Sequence, residues 1–410
     1  MDANLSQSVI SGVGKVNGRD ICIYAQNSAV KGGSLGRNHA RRIANIMRMA
    51  LQLQYPIVAM LDSGGARIQE GVDALSGYGE IFRLCSLAKG KVLQIAVVLG
   101  ACAGGAAYSP ALMDITFTVR GLSRMFINGP AVIKSNTGED IDAESLGGAD
   151  VLATISGNAN FVYDTEQQCL DGVRNIIELT LGSSVKTEGK YASAPEKTNT
   201  DGGIHGLIHS MCDHGSAMEV SENYARNCVT ALARIGGKSV GIVANNGNID
   251  IDAADKIAAH IQYCDNFGLP IITFTDIKAF ECSRAQEHGG LIRHGSRIIY
   301  EYSTSTVKKI TVITGNALGG GFVAMGSKSL GADVVLAWKG AQVAVMPPEA
   351  AVNVIYRKQL AENPELRASL IEQYRKEIAD IDLSAHIDRF INPEDTRDEI
   401  IKALDSFLIF

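Results

Sequence analysis

The sequence predicts an α/β protein made of two tandem domains of one fold, and three observations carry that prediction. Residues 97–109 open as a short apolar run, break at Gly100 and again at Gly104-Gly105, and continue in small residues that suit a helix start. Residues 312–324 repeat the layout, Gly315 answering Gly100 and Gly319 answering Gly104, each 215 positions on. The flanks repeat too. Asp62-Ser63-Gly64-Gly65-Ala66-Arg67-Ile68-Gln69-Glu70 has a looser partner between Asp276 and Gln286-Glu287, and the strand-like run from Asp114 to Val119 answers the run from Asp333 to Trp338. Two copies of this length describe paired domains rather than a solenoid, whose units are shorter and more numerous. The expected division is a first domain over 1–190, a linker over 191–203 and a second domain over 204–410.

In chain order, residues 12–25 alternate apolar and polar around glycines, as a hairpin does, with Val13, Val16, Ile21 and Ile23 in phase. The loop Lys31-Gly32-Gly33-Ser34-Leu35-Gly36 leads to a helix over 39–53, whose Ile43, Ile46, Met47 and Ala50 recur at helical spacing until Tyr55-Pro56 stops it. Residues 57–61 read as a buried strand ending at Asp62-Ser63-Gly64-Gly65. A helix over 72–88, a strand over 92–99 and the first glycine turn follow. Strand, helix, strand in this order implies parallel pairing with right-handed crossovers. Ligands of such sheets gather beyond the strand ends, where both glycine loops of each copy fall.

Residues 181–203, rich in Ser, Lys, Thr and Gly and without periodicity, form the linker. The second copy restarts at 205–211, with a strand pair near 238–243, a helix over 253–267 and a strand over 271–275. In the tail, Asn363-Pro364 offers an N-cap and a first-turn proline for a helix over 365–379. Thr396 and Glu399 have capping-box spacing for the last helix.

Composition narrows the function. Of 410 residues, 46% are hydrophobic and 20% charged, which excludes wholesale disorder, and a net charge of −6 leaves no electrostatic footprint for nucleic acid. The opening residues show no basic stretch followed by an apolar one, and no apolar run approaches the roughly 18–20 residues of a spanning helix, so the expected location is cytoplasmic. The eight cysteines, from Cys22 to Cys282, form no Cys-x-x-Cys pair, and the histidines have no metal-ligand spacing, so no metal is expected. Cys102 lies inside the first turn, where its apolar neighbours mark it as a buried, inert thiol. His288 and His294 take solvated or structural roles.

A glycine turn between a strand and a helix leaves amides without intrahelical partners, and these can hold a phosphate, a carboxylate or the oxyanion of a thioester. Gly104, Gly105 and Ala106 form one such set, and Gly319, Gly320 and Gly321 the other.

The motifs resemble the carboxyltransferase subunits of biotin-dependent acyl-CoA carboxylases and the alpha subunits of biotin-dependent acyl-CoA decarboxylases. Those that carry the resemblance are Asp62 through Gly71, Cys102 through Ala111, Gln286 through Gly295, and Pro393-Glu394-Asp395-Thr396-Arg397. The resemblance implies two crotonase-like (ClpP/crotonase, ββα-spiral) domains, the first cradling acyl-CoA and the second cradling biotin brought on a biotin carboxyl carrier protein. It implies a homo-oligomer with a dimer core inside a hexamer, each site shared between one subunit's first domain and a neighbour's second. A biotin carboxylase or a membrane decarboxylase subunit would be the further partner. It assigns substrate contacts to Gly33, Ser34, Ser63, Gly64, Gly65, Ala66, Arg67 and Tyr108 in the first domain and to Phe322 and Val323 in the second. Two oxyanion turns fit carboxyl transfer because negative charge develops on both the thioester oxygen and the biotin ureido oxygen.

The sequence departs from the family pattern in four places. Members are longer at the N-terminus. Ile277-Lys278-Ala279-Phe280-Glu281-Cys282-Ser283 stands where they carry a Pro-Gly-Phe-x-Pro-Gly loop, and Pro347-Pro348 replaces a turn containing glycine. Val323 occupies a position often Asp in propionyl-CoA carboxylases and aliphatic in decarboxylase-type subunits. The altered loop supports an alternative, a catalytically weakened CoA-ester-binding scaffold paired with an active paralogue. A crotonase-type hydratase or thioesterase would need a carboxylate near the oxyanion turn, for which the first copy offers Glu70 and Glu80.

Overall fold

The computed structural model of the chain describes residues 8–182, 202–379 and 381–406. They divide into two compact units: the first runs through Gly182 and takes in Val220–Tyr224, and the second holds the rest. The excursion belongs to the first unit because Ser221 N donates to the Asn160 carbonyl and Asn160 Nδ2 to Ser221 Oγ, both at 3.0 Å. A pairing made so far along the chain leaves no local trace in sequence, where 204–410 reads as one domain. Of the expected linker, 191–201 lies outside the described residues, and Gly203 opens the helix Gly203–Met211.

In the first unit, β1 (Val9–Val16) and β2 (Arg19–Gln26) form the hairpin around Asn17-Gly18, both at positive φ as a two-residue turn requires. β2 pairs in parallel with β3 (Ile57–Ser63), β3 with β4 (Gln94–Ala103) and β4 with β5 (Ile115–Val119). β6 (Arg124–Phe126) joins the far end of β4, and β7 (Phe161–Tyr163) joins β5. The crossover helices are Arg37–Leu53, which buries Ile43, Ile46, Met47 and Ala50, and Val72–Ala88.

In the second unit, β8 (Met218–Glu219), β9 (Cys228–Ile235) and β10 (Lys238–Asn245) run antiparallel in turn. β11 (Ile271–Ile277), β12 (Lys309–Leu318) and β13 (Val334–Trp338) continue in parallel, β14 (Gln342–Ala344) joins the far end of β12, and β15 (Arg389–Ile391) joins β13. The helix between β10 and β11 is Ile251–Asn266.

β4 and β12 are the equivalent strands, and each changes partner midway. β4 pairs with β5 through Ile95–Val98 and then with β6 through Ala101–Ala103. β12 pairs with β13 through Ile310–Ile313 and then with β14 through Asn316–Leu318. Each unit therefore winds as a spiral. The five residues that begin each strand are all buried, as in a sheet covered on both faces. A repeated aspartate pins each start: Asp114 Oδ2 accepts from Gln94 N at 2.9 Å and Asp333 Oδ2 from Lys309 N at 2.8 Å.

The tail differs from two sequence expectations. Asn363 precedes a 3-10 turn, Pro364–Leu366, but its side chain caps nothing, and the helix proper begins at Arg367. Thr396 is no N-cap: it is the first residue of the helix Thr396–Asp405, its hydroxyl donates to the Pro393 carbonyl at 2.7 Å and accepts the Trp338 indole N–H at 2.8 Å. Glu399 pairs with Arg389 and Lys402 instead of closing a box. No described helix is long and apolar enough to cross a membrane.

Candidate active site

β4 delivers Gly104 at φ 59° into a 3-10 turn, Gly104–Ala107, which runs on into the helix Tyr108–Leu112. The Gly104 and Gly105 amides precede the first residue that can find an acceptor inside the turn. A Cβ on Gly104 would meet nothing within 4 Å, so the backbone there faces open ground; a Cβ on Gly105 would stand 3.0 Å from the Tyr78 ring, which backs the turn. Ala106 is buried, and Tyr108 is 46% exposed with its ring edge-on to Phe82.

Beside this turn the structure brings together the loops around Gly33 and Gly65. Gly64 N donates to Gly32 O, Leu35 N to Gly65 O and Arg67 N to Leu35 O, at 2.8–3.0 Å, so the two loops zip along Leu35 and Ala66. Gly33 is confined because a Cβ there would collide with the Asp62 carbonyl. Gly64 is exposed. Ser63 is fully buried, its hydroxyl accepting the Gly65 amide at 3.2 Å, so it shapes the loop from behind rather than meeting a ligand. Arg67 is likewise turned inward: it donates to Ser34 Oγ and the Ser34 carbonyl and pairs with Glu70 at 2.7 Å.

The second turn is an α-helix, Gly319–Ala324, whose first three amides, those of Gly319, Gly320 and Gly321, have no acceptor within the helix. Gly319 has φ 55°, and Gly320 is exposed, with only the Phe280 ring 4.0 Å from an added Cβ. Phe322 packs on the small core around Ile313, Ala317 and Val335, while Val323 is 41% exposed. The divergent 277–283 segment lies behind this turn. Ile277 backs Gly321, Phe280 sits between Gly320 and Gly295, and Glu281 N donates to Ile249 O at 2.8 Å. The segment has replaced glycines and prolines with packing and keeps an ordered course.

Other candidates have structural duties. Cys102 is wholly buried, and desolvation pushes its thiol far above the usual range, so it is no nucleophile. Glu70 is held below the usual carboxylate range by the Arg37 amide and the Arg67 guanidinium, and Glu80 is paired with Arg48, so neither is a poised acid or base. His294 pairs with Asp255 at 2.8 Å. Arg397, from the last family-like motif, forms a buried ion pair at 2.6 Å with Asp213, which also accepts the Gly236 and Gly237 amides. That motif fastens the C-terminal helix.

Sequence reasoning missed the aspartates that support the turns. Asp62 Oδ1 accepts from Ala101 N at 3.3 Å; Asp276 Oδ1 accepts from Asn316 N at 2.6 Å and Asn316 Nδ2 at 2.8 Å. The signal was present, since both aspartates begin the repeated flanking motif.

Two backbone-amide turns on duplicated units have the geometry to stabilise an oxyanion each. The chain belongs to the carboxyl transferase domain family, whose model matches residues 1–407. It is 43% identical over 425 residues to the methylmalonyl-CoA decarboxylase subunit alpha of Propionigenium modestum, spanning 98% of this chain and 82% of that one. It is also 43% identical, over 421 residues, to the propionyl-CoA carboxylase carboxyltransferase subunit of Haloferax mediterranei, spanning 97% and 82%. The transcarboxylase 12S structure, a hexamer with methylmalonyl-coenzyme A and methylmalonic acid bound, matches with a TM-score of 0.90 at 39% identity, covering 98% of this chain and 81% of that one. The fold is crotonase-like and the chain is a carboxyltransferase.

Proposed function

We propose that the chain moves a carboxyl group between biotin, carried on a separate biotin carboxyl carrier protein, and a short acyl-CoA, the methylmalonyl-CoA and propionyl-CoA pair. The observation that carries this reading is the duplication of one device: two strands of the same construction, each ending in amides without helical acceptors. Carboxyl transfer needs two such sites, because charge builds on a thioester oxygen at one end and on a ureido oxygen at the other. Biotin supplies the nitrogen that gives or takes the carboxyl group. The chain supplies the oxyanion donors through its backbone. Gly104 and Gly105 hold the thioester oxygen, Ala106 being the residue whose amide already finds an acceptor within the 3-10 turn, and Gly319, Gly320 and Gly321 hold the ureido oxygen. The open ground before Gly104 and Gly320 suits close approach of a carbonyl, with Tyr108 and Val323 exposed beside the turns. The loops of Gly33, Ser34 and Gly64–Arg67 border the acyl-CoA.

The aliphatic Val323 favours the decarboxylating direction, with a membrane decarboxylase subunit as partner in place of a biotin carboxylase. The hexamer of the 12S structure supports a homo-hexamer of this chain. The scaffold alternative finds no support, and the occupied Glu70 and Glu80 argue against the hydratase and thioesterase alternatives.

Incubating the purified chain with methylmalonyl-CoA and free biotin tests the reading. Propionyl-CoA formation should rise with biotin concentration. Propionyl-CoA formed at the same rate without biotin, or release of free CoA instead, would overturn it.

A further inference from the structure

We propose that Asp62 and Asp276 are positioning residues, one for each glycine turn, each fixing a two-residue bulge that aims the amides following it; this rests on the carboxyl-transfer reading above. The register of β3 against β4 runs from Leu61 opposite Val98 to Ser63 opposite Cys102. One residue of β3, Asp62, therefore faces three of β4: Leu99, Gly100 and Ala101. The second unit repeats this, from Thr275 opposite Ile313 to Ile277 opposite Ala317, with Asp276 facing Thr314, Gly315 and Asn316. A bulge frees backbone groups from the ladder and bends its strand, and something must then hold the bend. Here the carboxylate does so, by accepting the amide of Ala101 or Asn316. It also explains the glycine at the centre of each bulge, since a Cβ on Gly100 or Gly315 would land on the Asp62 or Asp276 carboxylate.

Each aspartate is itself fixed by a side-chain amide from the end of the neighbouring strand. Gln26 Oε1 accepts from Asp62 N at 3.2 Å, and Asn245 Oδ1 accepts from Asp276 N at 2.9 Å. Beyond each bulge, two residues separate the braced amide from the turn: Cys102 and Ala103 in one unit, Ala317 and Leu318 in the other. A shift of the bulge therefore moves the oxyanion donors directly, and such donors act only when placed within a few tenths of an ångström.

The experiment compares Asp62→Ala, Asp62→Asn, Gly100→Ala and Asp62→Ala/Gly100→Ala, with Asp276→Ala as the mirror. Two measurements are made on each full-length protein: amide hydrogen exchange over 99–107 and 314–322, and kcat and KM with methylmalonyl-CoA and biotin. Asp62→Ala should speed exchange over 99–107 by about tenfold or more and leave 314–322 unchanged, and Asp276→Ala should do the reverse. For Asp62→Ala, kcat should fall about 10- to 100-fold with KM for the acyl-CoA within about threefold, the pattern of an interaction felt in the transition state. Asn keeps an acceptor oxygen and should restore kcat to within about threefold of wild type. The double variant should be no worse than either single one, because removing the carboxylate removes the clash. Unchanged exchange over 99–107 in Asp62→Ala, or a kcat loss that Asn does not restore, would overturn the inference. A wild-type chain that transfers no carboxyl group would instead sink the functional reading, while the exchange data still decide whether the aspartates hold the turns.

Discussion

The two glycine turns stand on the same braced bulge and differ in what lies behind them. In the first unit the 3-10 turn is backed by the Tyr78 ring, close to Gly105, and a methyl group fits at Ala106. In the second the helical turn is backed by Ile277, 2.9 Å from a Cβ on Gly321, while Gly320 faces open ground. Their supports differ as well. Asn245 holds Asp276 alone, accepting its amide and donating to its carbonyl. Gln26 holds only the Asp62 amide and is steadied in turn by His39 Nε2, whose Nδ1 meets the Ser34 carbonyl at 3.3 Å and so carries the proton. The first brace thus continues into the loop of Gly33 and Ser34, whereas the second extends only to the Gly247 carbonyl, two residues beyond Asn245. What must be kept between the copies is the course of the backbone. The composition of each turn follows from its backing.

The largest effect should come from Gly320→Val, which fills open ground before the amides and should lower turnover by about 10²–10³-fold while leaving the melting temperature near wild type. Gly105→Val should lose turnover and stability together, because its branches press on Tyr78. Equal melting temperatures for the two variants would break the comparison of their backings.

Acid should separate the units next. Burial lowers His39 and His260 from 6.5 to about 4. As pH falls below 6.5, the unfolded chain takes up protons that the folded chain refuses, so stability drops until about pH 4, where the folded imidazoles protonate. Between pH 7 and 4.5 each histidine should account for roughly 2–3 kcal/mol of the loss. Urea titrations of His39→Asn and His260→Asn should each show an acid slope reduced by that amount. His39→Asn should also change turnover, since His39 alone reaches a brace; if both or neither did so, the contrast between supports would fail.

The smallest effect concerns the mirrored position itself. Gly321→Ala should cost about 1–3 kcal/mol by crowding Ile277, whereas Ala106→Gly should cost about 1 kcal/mol or less. Thermal melts of the pair would sharpen the assignment of Ile277 as the limiting neighbour, and a harmless Gly321→Ala would remove it.

Much of this architecture was legible because it is local. The helix Val72–Ala88, the hairpin ahead of it and the doubling of the aspartate and glycine motifs all follow from spacing along the chain. The direction of a Cβ is not written that way: Gly105 and Gly320 are equivalent letters, yet a Cβ on the first meets the Tyr78 ring at 3.0 Å and on the second meets nothing nearer than Phe280 at 4.0 Å. Arg67 sits in a family-like motif, but only the crossing of two loops shows that it is consumed by Ser34. Thr396 failed as a cap for the same reason, since Trp338, far off in sequence, claims its hydroxyl. Side-chain partners drawn from distant strands were the unreadable part.

The bulges also set how these genes can change in length. Each adds an even number of residues to its strand, so the inward and outward alternation survives across it, and Cys102 stays buried between the half-exposed Ala101 and Ala103. Deleting one codon between 99 and 101 would reverse every side chain after it and turn the Cys102 position outward. Deleting two would restore the alternation but abolish the bend, leaving Asp62 with no amide to hold. Neither step leads to a working intermediate, so this stretch, like its twin at 314–316, should drift by substitution and never by insertion or deletion.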